Sequence, residues 1–180
     1  DITLDEAAST FGTLALTGSN VAVTENAAMD LGASTIGGTA NFNSTSNVIT
    51  DSGTLAITGA TTINAGTADI TLDQAASTFG ALALTGANVA VTENAATDLA
   101  ASTVSGTLGV TSTGAVTDSG TLAITGGTTI SASGQDITLD EAASTFGTLA
   151  LTGANVAVTE NAATDLGAST VSGTFGITSG

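Results

Sequence analysis

The chain has 180 residues, a formal net charge of −16 and no Lys, Arg, His, Cys, Trp, Tyr or Pro. Without a cation to neutralise phosphates, nucleic-acid binding and attachment to an anionic membrane surface are excluded as functions. Without His, Cys or Lys, nucleophilic triads and soft-ligand zinc or copper sites are excluded.

Hydrophobic residues make up 42% of the chain, too many for a disordered acidic tail. They fall in short alternating runs, never in the roughly 18-residue apolar stretch of a membrane helix. The absence of Cys rules out a disulfide framework and says nothing of compartment. The sequence reads as a segment of a longer mature protein, because it opens and closes inside a repeat.

That repeat decides the architecture. DITLD recurs at Asp1, Asp69 and Asp136, giving copies at residues 1–68, 69–135 and, in part, 136–180. Residues 136–180 pair with residues 69–113 and differ at only six positions. The three copies are expected to form one continuous segment with no domain boundary. Each unit of about 67 residues subdivides at Gly-rich joints into three coils, Ala81–Gly106, Thr107–Gly127 and Thr128–Gly147, of 26, 21 and 20 residues. Such lengths suit single turns of a β-solenoid, with Gly and Asn at the corners.

Within the coils, Leu82 and Leu84, Val89 and Val91, Leu108 and Val110, Leu122 and Ile124, and Ile137 and Leu139 alternate with Ala, Thr, Gly or Asp. Period two with β-branched residues reads as half-buried strand. The fold class expected is therefore all-β, a parallel β-solenoid with three strands per coil, three coils per copy and about eight coils here. Leu84, Val110 and Ile130 are expected in one aliphatic column and Val91, Val116 and Leu139 in another. Thr128 is the weak point of a third, beside Leu82 and Leu108. The Ala-rich runs AAST and ENAATDLAAS are too short for stable helices and read as corners. Phe11, Phe79 and Phe146 recur before a Gly and read as large residues filling a wide corner. The first copy departs at Thr39–Gly53, where it carries one residue more than Thr107–Gly120.

The remaining chemistry is carboxylate. The triplets Leu4-Asp5-Glu6, Val23-Thr24-Glu25, Ile49-Thr50-Asp51, Val91-Thr92-Glu93, Val116-Thr117-Asp118, Leu139-Asp140-Glu141 and Val158-Thr159-Glu160 end in an acid, and Leu72-Asp73-Gln74 ends in Gln. Stacked, Glu6, Glu25, Asp51, Glu93, Asp118, Glu141 and Glu160 would make one column at a spacing of about 4.8 Å. Two readings stand: the side chains splay into solvent and salt screens them, or divalent cations such as calcium bridge successive carboxylates. A raised pKa at alternate members is a further consequence of such a column. Because these acids recur with the unit, an enzyme's single constellation is not expected, and no cofactor is required.

GTLAITGGTTISASGQDITLDEAASTFGTLALTGANVAVTENA and GTLGVTSTGAVTDSG resemble the repeats of filamentous-haemagglutinin-like giant surface proteins of bacteria. The resemblance implies a right-handed parallel β-helix, an extracellular location and a structural or adhesive role without catalytic residues. The expectation is thus a non-catalytic shaft of a fibre or adhesin, self-associating end to end or laterally, with no nucleic-acid partner and no membrane insertion. Recognition of a cell-surface glycan is the alternative, and an ice-binding Thr array a minor one. The near identity of the copies favours the shaft.

Overall fold

Val21–Glu25 shows how the pattern becomes structure. Val21, Val23 and Glu25 are buried, while Ala22 and Thr24 lie at the outer surface. With its apolar face turned inward, this strand pairs in parallel with Ile2–Leu4 of the coil before and Ala40–Ser44 of the coil after. The computed structural model describes residues 1–180, which wind into a parallel β-solenoid of about 9 turns with three faces and no helix. At about 4.8 Å per turn the segment is about 43 Å long.

The pairing register defines three stacks. In the first, Ile2 pairs with Val21, Val21 with Ala40, Ala40 with Thr61 and Thr61 with Leu82. In the second, Met29, Ile49, Ile70, Val89, Leu108, Thr128 and Leu149 pair in succession. The third begins as a three-stranded sheet of Thr17–Gly18, Ser34–Ile36 and Leu55–Ile57. It is continued by a bridge from Ala56 to Thr78 and by the Asn94 N–H donating to the Ser77 carbonyl. Thr97, Val116, Ile137, Val156 and Phe175 then pair in succession. At Leu82–Gly86 the first stack forks: its start pairs with Thr97–Leu99 and its end with Ser102–Val104.

A single cluster of 37 buried hydrophobic residues fills the interior from Leu14 to Val158. Phe79 and Phe146 belong to it and Phe11 packs against it, as expected of corner fillers. The runs AAST and ENAATDLAAS contain turns and short strands.

The turns differ in register from the sequence-based coils. A step from one coil to the next ranges from 17 residues (Leu82 to Leu99) to 22 (Ala56 to Thr78), so one copy spans a little more than three coils. Two expected columns are corrected accordingly. Leu84 lies on Ile63, while Val110 lies between Val91 and Ile130. Val116 is partnered by Ile137 in place of Leu139. Thr128 does face inward beside Leu108, but its other neighbour is Leu149 and not Leu82, which lies in the first stack, and its hydroxyl has no hydrogen-bond partner. The extra residue of the first copy is absorbed at Thr45–Asn47, where Ser46 adopts a positive φ of 67°.

Candidate functional site

Strand pairing satisfies the backbone along the faces. It fails at corners where the coils differ in length, and there buried N–H groups need other acceptors. Side chains supply them, at equivalent places in the copies.

The first acceptor is the Glu of VAVTEN. The Phe79 N–H donates to a Glu93 carboxylate oxygen at 2.7 Å, the Phe11 N–H to Glu25 at 2.7 Å and the Phe146 N–H to Glu160 at 3.4 Å. All three Glu residues are buried. Glu93 is the best satisfied, because the Thr97 hydroxyl donates to its other oxygen at 2.9 Å. In the first copy Met29 stands where Thr97 stands, and Glu25 Oε1 is left without a partner. Burial pushes the Glu93 carboxyl up from its ordinary value, against the hydrogen bonds from Phe79 and Thr97.

The second acceptor is the Asp of TDSG. Asp51 Oδ1 accepts the Asp73 N–H at 2.8 Å, and Asp118 Oδ1 accepts the Asp140 N–H at 2.8 Å, with the Glu141 N–H at 3.4 Å on Oδ2. Both Asp pKa values are raised, first of all by burial. Repulsion from Asp73, and from Asp140 and Glu141, adds less.

Serines do the same work without charge. The Leu16, Leu84 and Leu151 N–H groups donate to Ser34, Ser102 and Ser169, each at 3.0 Å. Those of Leu55 and Leu122 donate to Ser77 and Ser144, at 3.0 and 2.9 Å.

On the outer surface an Asp–Asn–Thr ladder ties three successive coils. Asp69 Oδ1 accepts both the backbone and side-chain N–H of Asn88, at 2.9 and 3.0 Å. Asn88 Oδ1 accepts the Thr107 N–H and hydroxyl, both at 3.1 Å. Asp1–Asn20–Thr39 and Asp136–Asn155–Thr174 repeat it. Each Asn oxygen occupies the space a Cβ would need at Gly38, Gly106 or Gly173, so the ladder requires Gly in the coil beyond it.

The single column of carboxylates expected from the sequence is corrected by this register. Glu25, Glu93 and Glu160 pair with Ser44, Ser112 and Ser179, and Asp51 and Asp118 with Leu31 and Leu99. Glu6 is exposed and Glu141 half-buried, both in the turn that follows DITLD. The column is broken into short groups: Glu6 and Glu25 each stand two residues after the paired Leu4 and Val23, Glu141 and Glu160 two after the paired Leu139 and Val158, and Asp118 accepts the Glu141 N–H. No group of three or more His, Cys, Asp or Glu is arranged to hold a metal ion. The physical reason is the interval between acids: the 19 residues from Glu6 to Glu25 are one coil and keep the stack, whereas the 26 from Glu25 to Asp51 carry the next acid to another stack. The raised pKa values follow burial, not the alternation a column would impose.

The sequence reading missed the serines and the ladder. The ladder had a signal: Asp, Asn and Thr recur at intervals of 19 residues, as at Asp69, Asn88 and Thr107, which is one coil.

A β-solenoid whose corners are closed by its own recurring side chains defines the class, a β-solenoid repeat protein, a fold that fits a structural or binding role. The chain belongs to the family described as repeats of unknown function (DUF5649), whose model matches residues 18–85 and 86–152. Comparison with curated proteins and with solved structures found no match.

Proposed function

We propose that the chain is a stretch of the shaft of an extracellular bacterial fibre or adhesin, structural and non-catalytic. One observation carries this reading: the buried acids, the buried serines and the Asp–Asn–Thr ladder are engaged in holding one coil to the next. A carboxylate that accepts a main-chain N–H inside a dry corner is not free to bind a ligand or move a substrate's proton. The exposed positions are mostly Ala, Thr, Ser and Gly, which give a solvated, uncharged strand surface. In such a shaft, copies join end to end or lie side by side.

The adhesive alternative has one observation in its favour. A shallow concavity of about 270 Å³ lies beside Asp1, Asn20, Thr39 and Asn41 in the first copy. Asn41 stands there in place of the Gly109 of the second copy, and a polar dish of this kind suits a glycan.

The test is a pair of measurements on chains with increasing numbers of copies. A shaft lengthens in proportion to copy number in electron micrographs and gives no saturable binding to glycan arrays or cells. Saturable glycan binding abolished by Asn41→Gly would replace this reading with the adhesive one.

A further inference from the structure

Each copy of the repeat begins one face further round than the copy before it. The run Ile2–Val21–Ala40–Thr61–Leu82 occupies the first stack. Its sequence equivalents Ile70–Val89–Leu108–Thr128–Leu149 occupy the second. Ile137–Val156–Phe175 occupy the third. The four steps of the first run take 19, 19, 21 and 21 residues, a mean of about 20 per turn within the usual range for one solenoid coil. A copy of 67 residues, Asp69 to Asp136, is then three turns and about one third. In a three-faced solenoid, one third of a turn is one face.

We propose that the repeat is a screw operator. Each copy is the previous one turned by about 120° and advanced by about 16 Å, taking about 4.8 Å per turn. Every outward feature obeys the same operator. The ladders Asp1–Asn20–Thr39, Asp69–Asn88–Thr107 and Asp136–Asn155–Thr174 are presented from three different directions. A surface that recurs in this way cannot form a one-sided strip of identical sites. The same face returns only after three copies, about 48 Å along the axis. The outward surface of a longer array is therefore three-sided, with each recurring feature presented in three directions.

The absence of Cys allows pairs of introduced cysteines to carry nitroxide labels without background. Ala90, Gly109 and Thr129 are successive partners in one stack, so Ala90→Cys with Thr129→Cys sets the labels two coils apart on one face, about 10 Å. Ala83 pairs with Thr62 in the first stack and lies in the same coil as Ala90. Ala83→Cys with Thr129→Cys therefore has the same axial separation across two faces. The screw predicts strong dipolar broadening in the first pair and its loss in the second. If each copy instead closed on a whole number of coils, Thr129 would lie in line with Ala83 and broadening would be strong in the second pair, which overturns the proposal. Should Ala83→Cys fail to fold, Ala22→Cys with Ala90→Cys decides. These equivalent residues lie on different faces under the screw, and their distance must exceed the axial advance of about 16 Å. A distance at or below that advance overturns it.

Discussion

The Glu93 carboxylate accepts the Phe79 N–H at 2.7 Å, fourteen residues back along the chain and inside a corner from which water is excluded. The bond recurs as Glu25 with Phe11 and Glu160 with Phe146. A buried N–H deprived of its acceptor costs about 1–3 kcal/mol, and the space left by a deleted side chain adds to this. Glu93→Ala is expected to destabilise by about 2–4 kcal/mol on those grounds. Glu93→Gln retains an acceptor oxygen and is expected to cost clearly less. Denaturant midpoints of the two variants check the ordering; equal losses would mean that the hydrogen bond to Phe79 is immaterial.

Thr97 is the second partner of Glu93. Thr97→Val keeps the volume and removes the hydroxyl, leaving the carboxylate as it is at Glu25, where Met29 offers nothing. A loss of about 1.5–3 kcal/mol is expected for a hydrogen bond to a charged group. Combining Thr97→Val with Glu93→Gln should recover part of that loss, which a thermal double-mutant cycle measures directly.

The pH dependence runs opposite to ordinary acid denaturation. Burial raises Glu93 above its usual 4.5 and Asp51 and Asp118 above 3.8. A carboxyl raised by folding binds more protons folded than unfolded. Its contribution is complete below the unfolded pKa and is lost as pH rises through the folded one. The melting temperature should therefore fall as pH is raised from about 4 towards neutrality, and Asp118→Asn should flatten that slope. Asp30 works in the other direction, because the hydroxyls of Thr13 and Ser52 hold its pKa below 3.8. Its contribution is present above 3.8 and lost as pH falls through its folded pKa, below the range from pH 4 to 7. Melting curves of parent and Asp118→Asn with the same slope from pH 4 to 7 would contradict this account.

Divalent cations find no group of three or more carboxylates arranged to hold them, and Ser or Leu occupies the coil on one side of each buried acid. Melting curves in a chelator and in millimolar calcium are expected to coincide. A calcium-specific rise in melting temperature, absent with magnesium, would show that cations engage these carboxylates after all.

Val91 lies between Leu72 and Val110 in the dry second stack. Val91→Asp puts an unpaired charge there in a chain with no Lys, Arg or His to meet it. The expected cost is several kcal/mol, of order 3–5, enough to unfold the neighbouring coils. Retention of the parent's β-sheet circular dichroism and melting temperature would contradict the inward placement of this residue.

The fold was legible because period-two alternation and a faithful long repeat both survive in the amino-acid order. Leu82, Leu84, Val89 and Val91 face inward as read. Stacking was legible only in part. Val110 on Ile130 is the observed pairing and Leu84 on Val110 is not, because coil length depends on how tightly each corner closes. The acids were legible as a recurrent feature and misread as a surface one. Glu25, Glu93 and Glu160 continue the inward parity of VAVTE, so parity alone placed them inside. Their charge argued for solvent, and the orphan N–H groups of Phe11, Phe79 and Phe146 that draw them inward exist only once the corner has closed.

The equivalence of the pairings has a genetic corollary. Ile2 meets Val21 as Ile70 meets Val89 and Ile137 meets Val156, so recombination that deletes or duplicates one whole copy rejoins matching partners at the seam. The joints on either side are unchanged, and the per-turn stability with them. The reach of the molecule changes by about 16 Å at about 4.8 Å per turn, and everything beyond the seam swings round by one face. Slippage between near-identical copies thus becomes a coarse adjustment of length and azimuth together, made without selecting a single new contact.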